Sequence, residues 1–116
     1  MKYAILIRES DQDFANRTNP ATAESHLAGW TAYTQALLQA GIMTGGAGLM
    51  PPATATVLRM RGDKREVQDG PFPEGKEQLG GFYLIDVADL DAALEWAARM
   101  PISEQSSVEI RPVLSM

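Results

Sequence analysis

An α+β sandwich, two helices laid on one antiparallel sheet, follows from three features of the sequence. Apolar runs with strand character open the chain at Tyr3-Ala4-Ile5-Leu6-Ile7 and recur at Gly80 to Val87 and Ser107 to Leu114. Two segments of helical spacing separate these runs, one before Gly41 and one before Pro101. There is neither an internal repeat nor a linker, and 116 residues leave room for one hydrophobic core, so residues 1–116 are expected to form a single domain.

Taken in order, Tyr3 to Ile7 is the first strand. Polar Glu9 to Pro20 reads as a loop, with Asn19-Pro20 punctuating it before a helix. From Ala21 to Ala40 the spacing is helical, with Leu27, Trp30, Thr34 and Leu38 on one stripe and Tyr33 and Leu37 flanking it. Gly41 suits the C′ position that ends such a helix. Ile42 to Leu49 carries Gly45, Gly46 and Gly48 and reads as a bent or bulged strand, stopped by Pro51-Pro52. Thr54 to Arg61 and Lys64 to Gln68 form a hairpin about Gly62-Asp63, a pair suited to a type II′ turn. Asp89 caps a second helix, Leu90 to Met100, with Leu90, Ala93, Leu94 and Ala97 facing inward. The resulting order is β-α-β-β-α-β with a hairpin elaboration, the ferredoxin-like arrangement.

Both faces of the sheet are apolar. Phe82 and Leu84 point one way while Tyr83, Ile85 and Val87 point the other, and Tyr3, Ile5 and Ile7 alternate with Ala4 and Leu6 in the same manner. Two helices cover one face only, so the second needs a partner, and the simplest is another copy packed face to face. A homodimer is expected.

Composition excludes several classes. Zero cysteines remove disulfides, thiolate nucleophiles and cysteine-ligated metals, and a single histidine argues against a histidine-rich metal site. Fifteen acidic against ten basic residues give a net charge of −5, which argues against nucleic acid and anionic membrane as partners. The apolar run Tyr3 to Ile7 is too short for a signal segment or membrane span, so the chain reads as cytoplasmic. No cofactor is indicated.

Candidate functional residues cluster in Asp69-Gly70-Pro71-Phe72 and its continuation, Pro73-Glu74-Gly75-Lys76-Glu77-Gln78-Leu79-Gly80-Gly81-Phe82-Tyr83-Leu84. This turn-forming block leads directly into an apolar strand, placing polar groups at the rim of a sheet, where small-molecule sites are built. Asp69 has two readings, an Asx-turn onto its own backbone or an active carboxylate. Phe72 is an apolar plug or a stacking surface, and Lys76 and Glu77 are a solvated pair or ligand contacts. Gly80-Gly81 allows close backbone approach at a bulge, without the spacing of a phosphate loop. His26 is the one histidine, the residue type whose unperturbed imidazole titrates near neutrality, and is the natural proton-transfer candidate. Trp30 and Tyr33 are core or pocket wall. Arg59 and Arg61 share one strand face and are either a solvated edge or an anion contact.

These segments together resemble the YCII-related proteins, specifically the DGPF-domain branch. The resemblance runs through Met1-Lys2-Tyr3, the helix ending Ala40-Gly41, Gly48 to Thr56, Asp69-Gly70-Pro71-Phe72, Lys76 to Tyr83 and Val108-Glu109-Ile110-Arg111-Pro112, in that order. It implies a ferredoxin-like dimeric α+β barrel. The wider family is thought to use a His–Asp pair in a cleft, one branch being a dehalogenating lyase on a small ring compound, and some members occur near extracytoplasmic-function sigma factors. Asp69 matches the signature aspartate. Where many relatives place a histidine on the first helix, this chain has Trp30, with His26 one turn earlier.

The leading expectation is a dimer binding a small polar or aromatic molecule in a cleft formed by Trp30, Tyr33, Phe72 and the Asp69 turn, with a regulatory link to a sigma factor. The alternative is a cofactor-free lyase or isomerase using Asp69 with His26 or Lys76. A nucleic-acid module would share the strand and helix order, and Gly81-Phe82-Tyr83-Leu84 faintly resembles its aromatic strand. The acidic charge and the lack of a basic lead into that strand argue against it.

Overall fold

The computed structural model describes residues 1–72 and 75–115; Pro73 and Glu74 of the turn block lie outside the described residues. Its elements are β1 (Lys2–Ser10), α1 (Asp11–Asn16), α2 (Ala23–Gln39), β2 (Met43–Gly48), β3 (Thr56–Arg61), β4 (Lys64–Asp69), β5 (Glu77–Asp86), α3 (Leu90–Ala97) and β6 (Ser107–Pro112), with a single 3₁₀ turn at Pro52–Thr54. Four strands form an antiparallel sheet in the order β2-β5-β1-β6, which is the ferredoxin-like topology, and β3-β4 form a separate two-stranded sheet.

Local chemistry accounts for most of the boundaries. Gly41 adopts φ +70° and ends α2 in a Schellman motif: Ile42 N–H donates to Leu37 O at 3.3 Å and Gly41 N–H to Leu38 O at 3.0 Å. Asp89 caps α3, its carboxylate accepting from Ala92 N–H at 2.9 Å. Gly62 at φ +60° turns the hairpin, and Asp63 after it, like every other non-glycine among the described residues, does not have positive φ, as a type II′ turn requires. Bulges fall where glycine allows them: the β1–β5 register shifts across Gly80, and the β2–β5 register shifts between Met43 and Gly45.

The helix-facing side of the sheet carries Tyr3, Ile5, Ile7 and Ile85. They pack against Tyr33 and Leu37 of α2 and Ala93 and Ala97 of α3. Four expectations need correction. The Glu9–Pro20 segment is not all loop: β1 runs on to Ser10, whose hydroxyl accepts from Asp13 N–H at 3.2 Å and caps α1. That helix buries Phe14 and Asp13 and is too short to display a periodic apolar face. On α2 the stripe is rotated: Tyr33 and Leu37 are the core residues, whereas Leu27 and Leu38 are 68% and 56% exposed. On α3, Ala93 and Ala97 face inward while Leu90 and Leu94 are half exposed, because close helix–sheet approach selects the small residues. The chain also leaves α3 earlier than expected, at Ala97 rather than Met100.

Candidate functional site

A cleft of about 900 Å³ lies between α2 and the β2–β5 half of the sheet. Ala23, His26, Leu27, Trp30, Thr31 and Thr34 line its helical side, a spacing that places them on one face of α2. The opposite wall is Gly46, Ala47 and Gly48 of β2 with Gly80 and Gly81 of β5. Ile7 and Glu9 of β1, with Arg17, form the floor. Leu27, Trp30 and Thr34 of the helical stripe thus line the cleft, and Trp30 takes the pocket-wall alternative of its reading.

Glu9 continues the Tyr3, Ile5, Ile7 alternation on the helix-facing side and is 5% exposed. A charge at such a position requires a partner, which Arg17 supplies: its Nη2 donates to Glu9 Oε2 at 2.8 Å and to Gly80 O at 3.1 Å. Arg17 Nη1 donates to Leu49 O, and its guanidinium carbon sits 4.8 Å from the centre of the Phe14 ring. A planar fork satisfying three acceptors on three segments is a task for arginine rather than lysine. Gly80 completes the arrangement, since a β-carbon there would collide with the Glu9 carboxylate, and one on Gly81 would stand 3.0 Å from Ala47 O. The expected close approach at Gly80-Gly81 is thus present, with Glu9 as the neighbour on one side and β2 on the other.

The aromatic layer beside the cleft is ordered. The Trp30 ring stacks on Tyr83 with centroids 6.4 Å apart and planes at 18°, and meets Tyr33 edge-on at 6.1 Å. Thr34 Oγ1 and Tyr83 OH are hydrogen-bonded at 2.6 Å. Tyr33 lies in the core rather than in the cleft lining and donates its hydroxyl to Trp96 O at 2.9 Å. Burial, with Tyr83 adding and Arg99 opposing, pushes its phenol from 10.0 up to about 12.

The sequence-derived site residues are dispersed. His26 and Trp30 line the cleft. Asp69 is exposed at the end of β4, opposite Thr56, and among the described residues it lines neither this cleft nor the second hollow. Gly70 takes φ +91° and donates its N–H to Ala55 O at 2.7 Å, a chain reversal pinned to the segment before β3. Phe72, 46% exposed, lines that second hollow of about 520 Å³ with Pro51, Pro52, Val57 and Leu79, and the Arg59 guanidinium lies 5.1 Å from its ring centre. Arg61 pairs with Glu66 at 2.7 Å on the exposed hairpin. Lys76 is exposed in a bend, and Glu77 accepts from Ser107 Oγ at 2.8 Å. The expected assembly of Trp30, Tyr33, Phe72 and Asp69 around one cleft is not what this chain forms. Among the described residues no group of three or more His, Asp or Glu is placed to hold a metal, and no helix is long and apolar enough to cross a membrane.

Sequence reasoning passed over Glu9 and Arg17. The available signal was Glu9 itself, a carboxylate at the next inward position of an alternating strand.

An α+β chain with ferredoxin-like strand order and a cleft between its long helix and sheet defines the class, and the chain belongs to the YCII-related domain family, whose model matches residues 1–116. It is similar to an uncharacterized protein of Rhizobium meliloti (strain 1021), at 36% identity over 115 residues, covering 97% of this chain and 92% of that protein.

Proposed function

We propose that this protein binds a small molecule in the cleft between α2 and the β2–β5 edge, as a homodimer. The observation that carries the binding reading is the cleft's construction: mainly apolar walls around a buried carboxylate, Glu9, paired with the partly buried Arg17. Such a combination gives a ligand apolar area to bury and a fixed polar group to orient it. A fragment screen followed by amide chemical shifts tests this. Shifts clustering on Gly46–Gly48, Gly80-Gly81 and the α2 face support the cleft, whereas shifts clustering at Asp69–Phe72 would return the site to the turn.

The dimer rests on the uncovered sheet face, where Ala4, Leu6, Phe82 and Leu84 sit side by side in register and are only half-buried in one chain. A radius of gyration of 15.9 Å, against about 13 Å for a compact chain of this length, also supports a partner. Light scattering should give twice the chain mass, and Leu6→Lys combined with Phe82→Lys should halve it.

The lyase or isomerase reading is favoured by one observation only: His26 and a carboxylate, Glu9, line the same cleft. In that reading Glu9 takes the role expected of Asp69. For any ring substrate that turns over, Glu9→Gln should abolish turnover and Asp69→Asn should not; the reverse would restore Asp69 as the active carboxylate.

A further inference from the structure

We infer that the cleft selects a flat aromatic or heteroaromatic ring, neutral or singly positive, that presents an N–H donor to the Glu9 carboxylate; the inference rests on the binding reading above. Three observations carry it.

The first is the shape of the walls. Gly46, Gly48, Gly80 and Gly81 remove side chains from part of the sheet side, leaving bare peptide planes beside the Tyr83 ring on which Trp30 stacks. Glycine in strands marks places where another group comes close to the backbone. Three of these glycines are explained by neighbours within the fold, Gly46 by the Phe82 carbonyl, Gly80 by Glu9 and Gly81 by Ala47. Nothing stands within 4 Å of where a Gly48 β-carbon would be, so its bareness leaves open space at the wall. A planar ring laid on those peptide planes, beside the Trp30–Tyr83 stack, fits that space.

The second is the disposition of donors. The polar groups at the floor of the cleft are Glu9 and Arg17, and the Glu9 carboxylate is an acceptor only. The neighbouring Arg17 already donates to Glu9, Gly80 O and Leu49 O. An incoming anion would have to compete with those three acceptors, whereas an N–H finds a buried carboxylate already in place and makes a charge-assisted bond.

The third is charge. Glu9 and Glu24 line the cleft against Arg17, and these three groups sum to one net negative charge. That repels carboxylates and accepts a single positive charge.

Four indoles of one ring size test this by calorimetry, with amide shifts reporting where each binds: indole, 1-methylindole, tryptamine and indole-3-acetate. Indole and tryptamine should bind at the cleft about tenfold or more tighter than 1-methylindole and indole-3-acetate, the scale of a hydrogen bond to a charged group. Glu9→Gln should narrow the tryptamine advantage over indole-3-acetate, with circular dichroism confirming the fold. The wild-type comparison needs no variant, so a poorly folding Gln variant leaves the test intact. Binding in the cleft without loss on N-methylation, or with indole-3-acetate as the tightest probe, overturns the inference and leaves the binding reading standing. No cleft shifts with any of the four at millimolar concentration overturns both.

Discussion

A β-carbon on Gly80 would fall on the carboxylate of Glu9. The glycine in a bulge of β5 and the acid at the end of β1 are therefore a matched pair, and Arg17 locks them by bonding both Glu9 Oε2 and the Gly80 carbonyl. Gly80→Ala must move either the carboxylate or the bulge. We expect a loss of about 1–3 kcal/mol in urea unfolding, the usual cost of overpacking a filled site. An unchanged midpoint would mean that the Glu9 side chain can swing away freely.

Removing Arg17 leaves Glu9 buried without its counter-charge. Arg17→Met should cost about 3 kcal/mol, because an uncompensated buried charge is more expensive than the pair is beneficial. Glu9→Gln combined with Arg17→Met should cost less than the sum of the single changes. A double-mutant cycle read by denaturant unfolding checks this, and strict additivity would show that the two side chains are not coupled.

Tyr33 predicts alkaline behaviour. Its phenol titrates at about 12 when folded against an ordinary value of 10.0, so above pH 10 the unfolded chain loses this proton first. Protons bound are then fewer in the unfolded state, and stability contributed by Tyr33 is intact below pH 10 and falls as pH rises through 12. Tyr33→Phe should flatten that part of the profile while costing about 1 kcal/mol at neutral pH for the lost bond to Trp96 O. The pH dependence of the urea midpoint measures both.

Asp13 ties α1 to the segment before β6. Its buried carboxylate accepts from Ser103 Oγ at 3.1 Å and from Ser106 Oγ, while Ser106 Oγ also accepts from Ser10 N–H at 3.1 Å. Asp13→Ala should cost about 2 kcal/mol and raise amide exchange in α1 and around residue 106. Exchange confined to α1 would show that the tie does not hold the 103–106 segment.

The two hollows are separable by mutation. Trp30→Ala should weaken indole binding about tenfold by removing a stacking wall, and Phe72→Ala should leave it unchanged. The opposite pattern in titrations would move the ligand to the hollow under the β3–β4 hairpin.

Where a signal acts over a few residues, the sequence was legible. The Gly41 helix stop, the Asp89 cap, the Gly62-Asp63 turn and the bulges beside Gly45 and Gly80 are each set by one side chain or its absence, and the structure has all of them. The α1 helix was hidden because six residues cannot show a period, and the α2 stripe was rotated because Trp30 and Tyr33 are equally apolar on a helical wheel.

The chain by itself determined the order of its elements, the alternation of its strands and the points at which they bend or stop. The site was decided by tertiary structure. Glu9, Arg17 and Gly80 are polar or featureless in isolation, and Arg17 and Gly80 stand 63 positions apart. They become one unit only when β5 pairs with β1 and α1 returns the chain over their ends. The Asp69 turn is prominent in the sequence because a tight reversal needs Asp, Gly and Pro, a local requirement. A cleft needs separated walls brought face to face, and only the packing of α2 on the sheet supplies them.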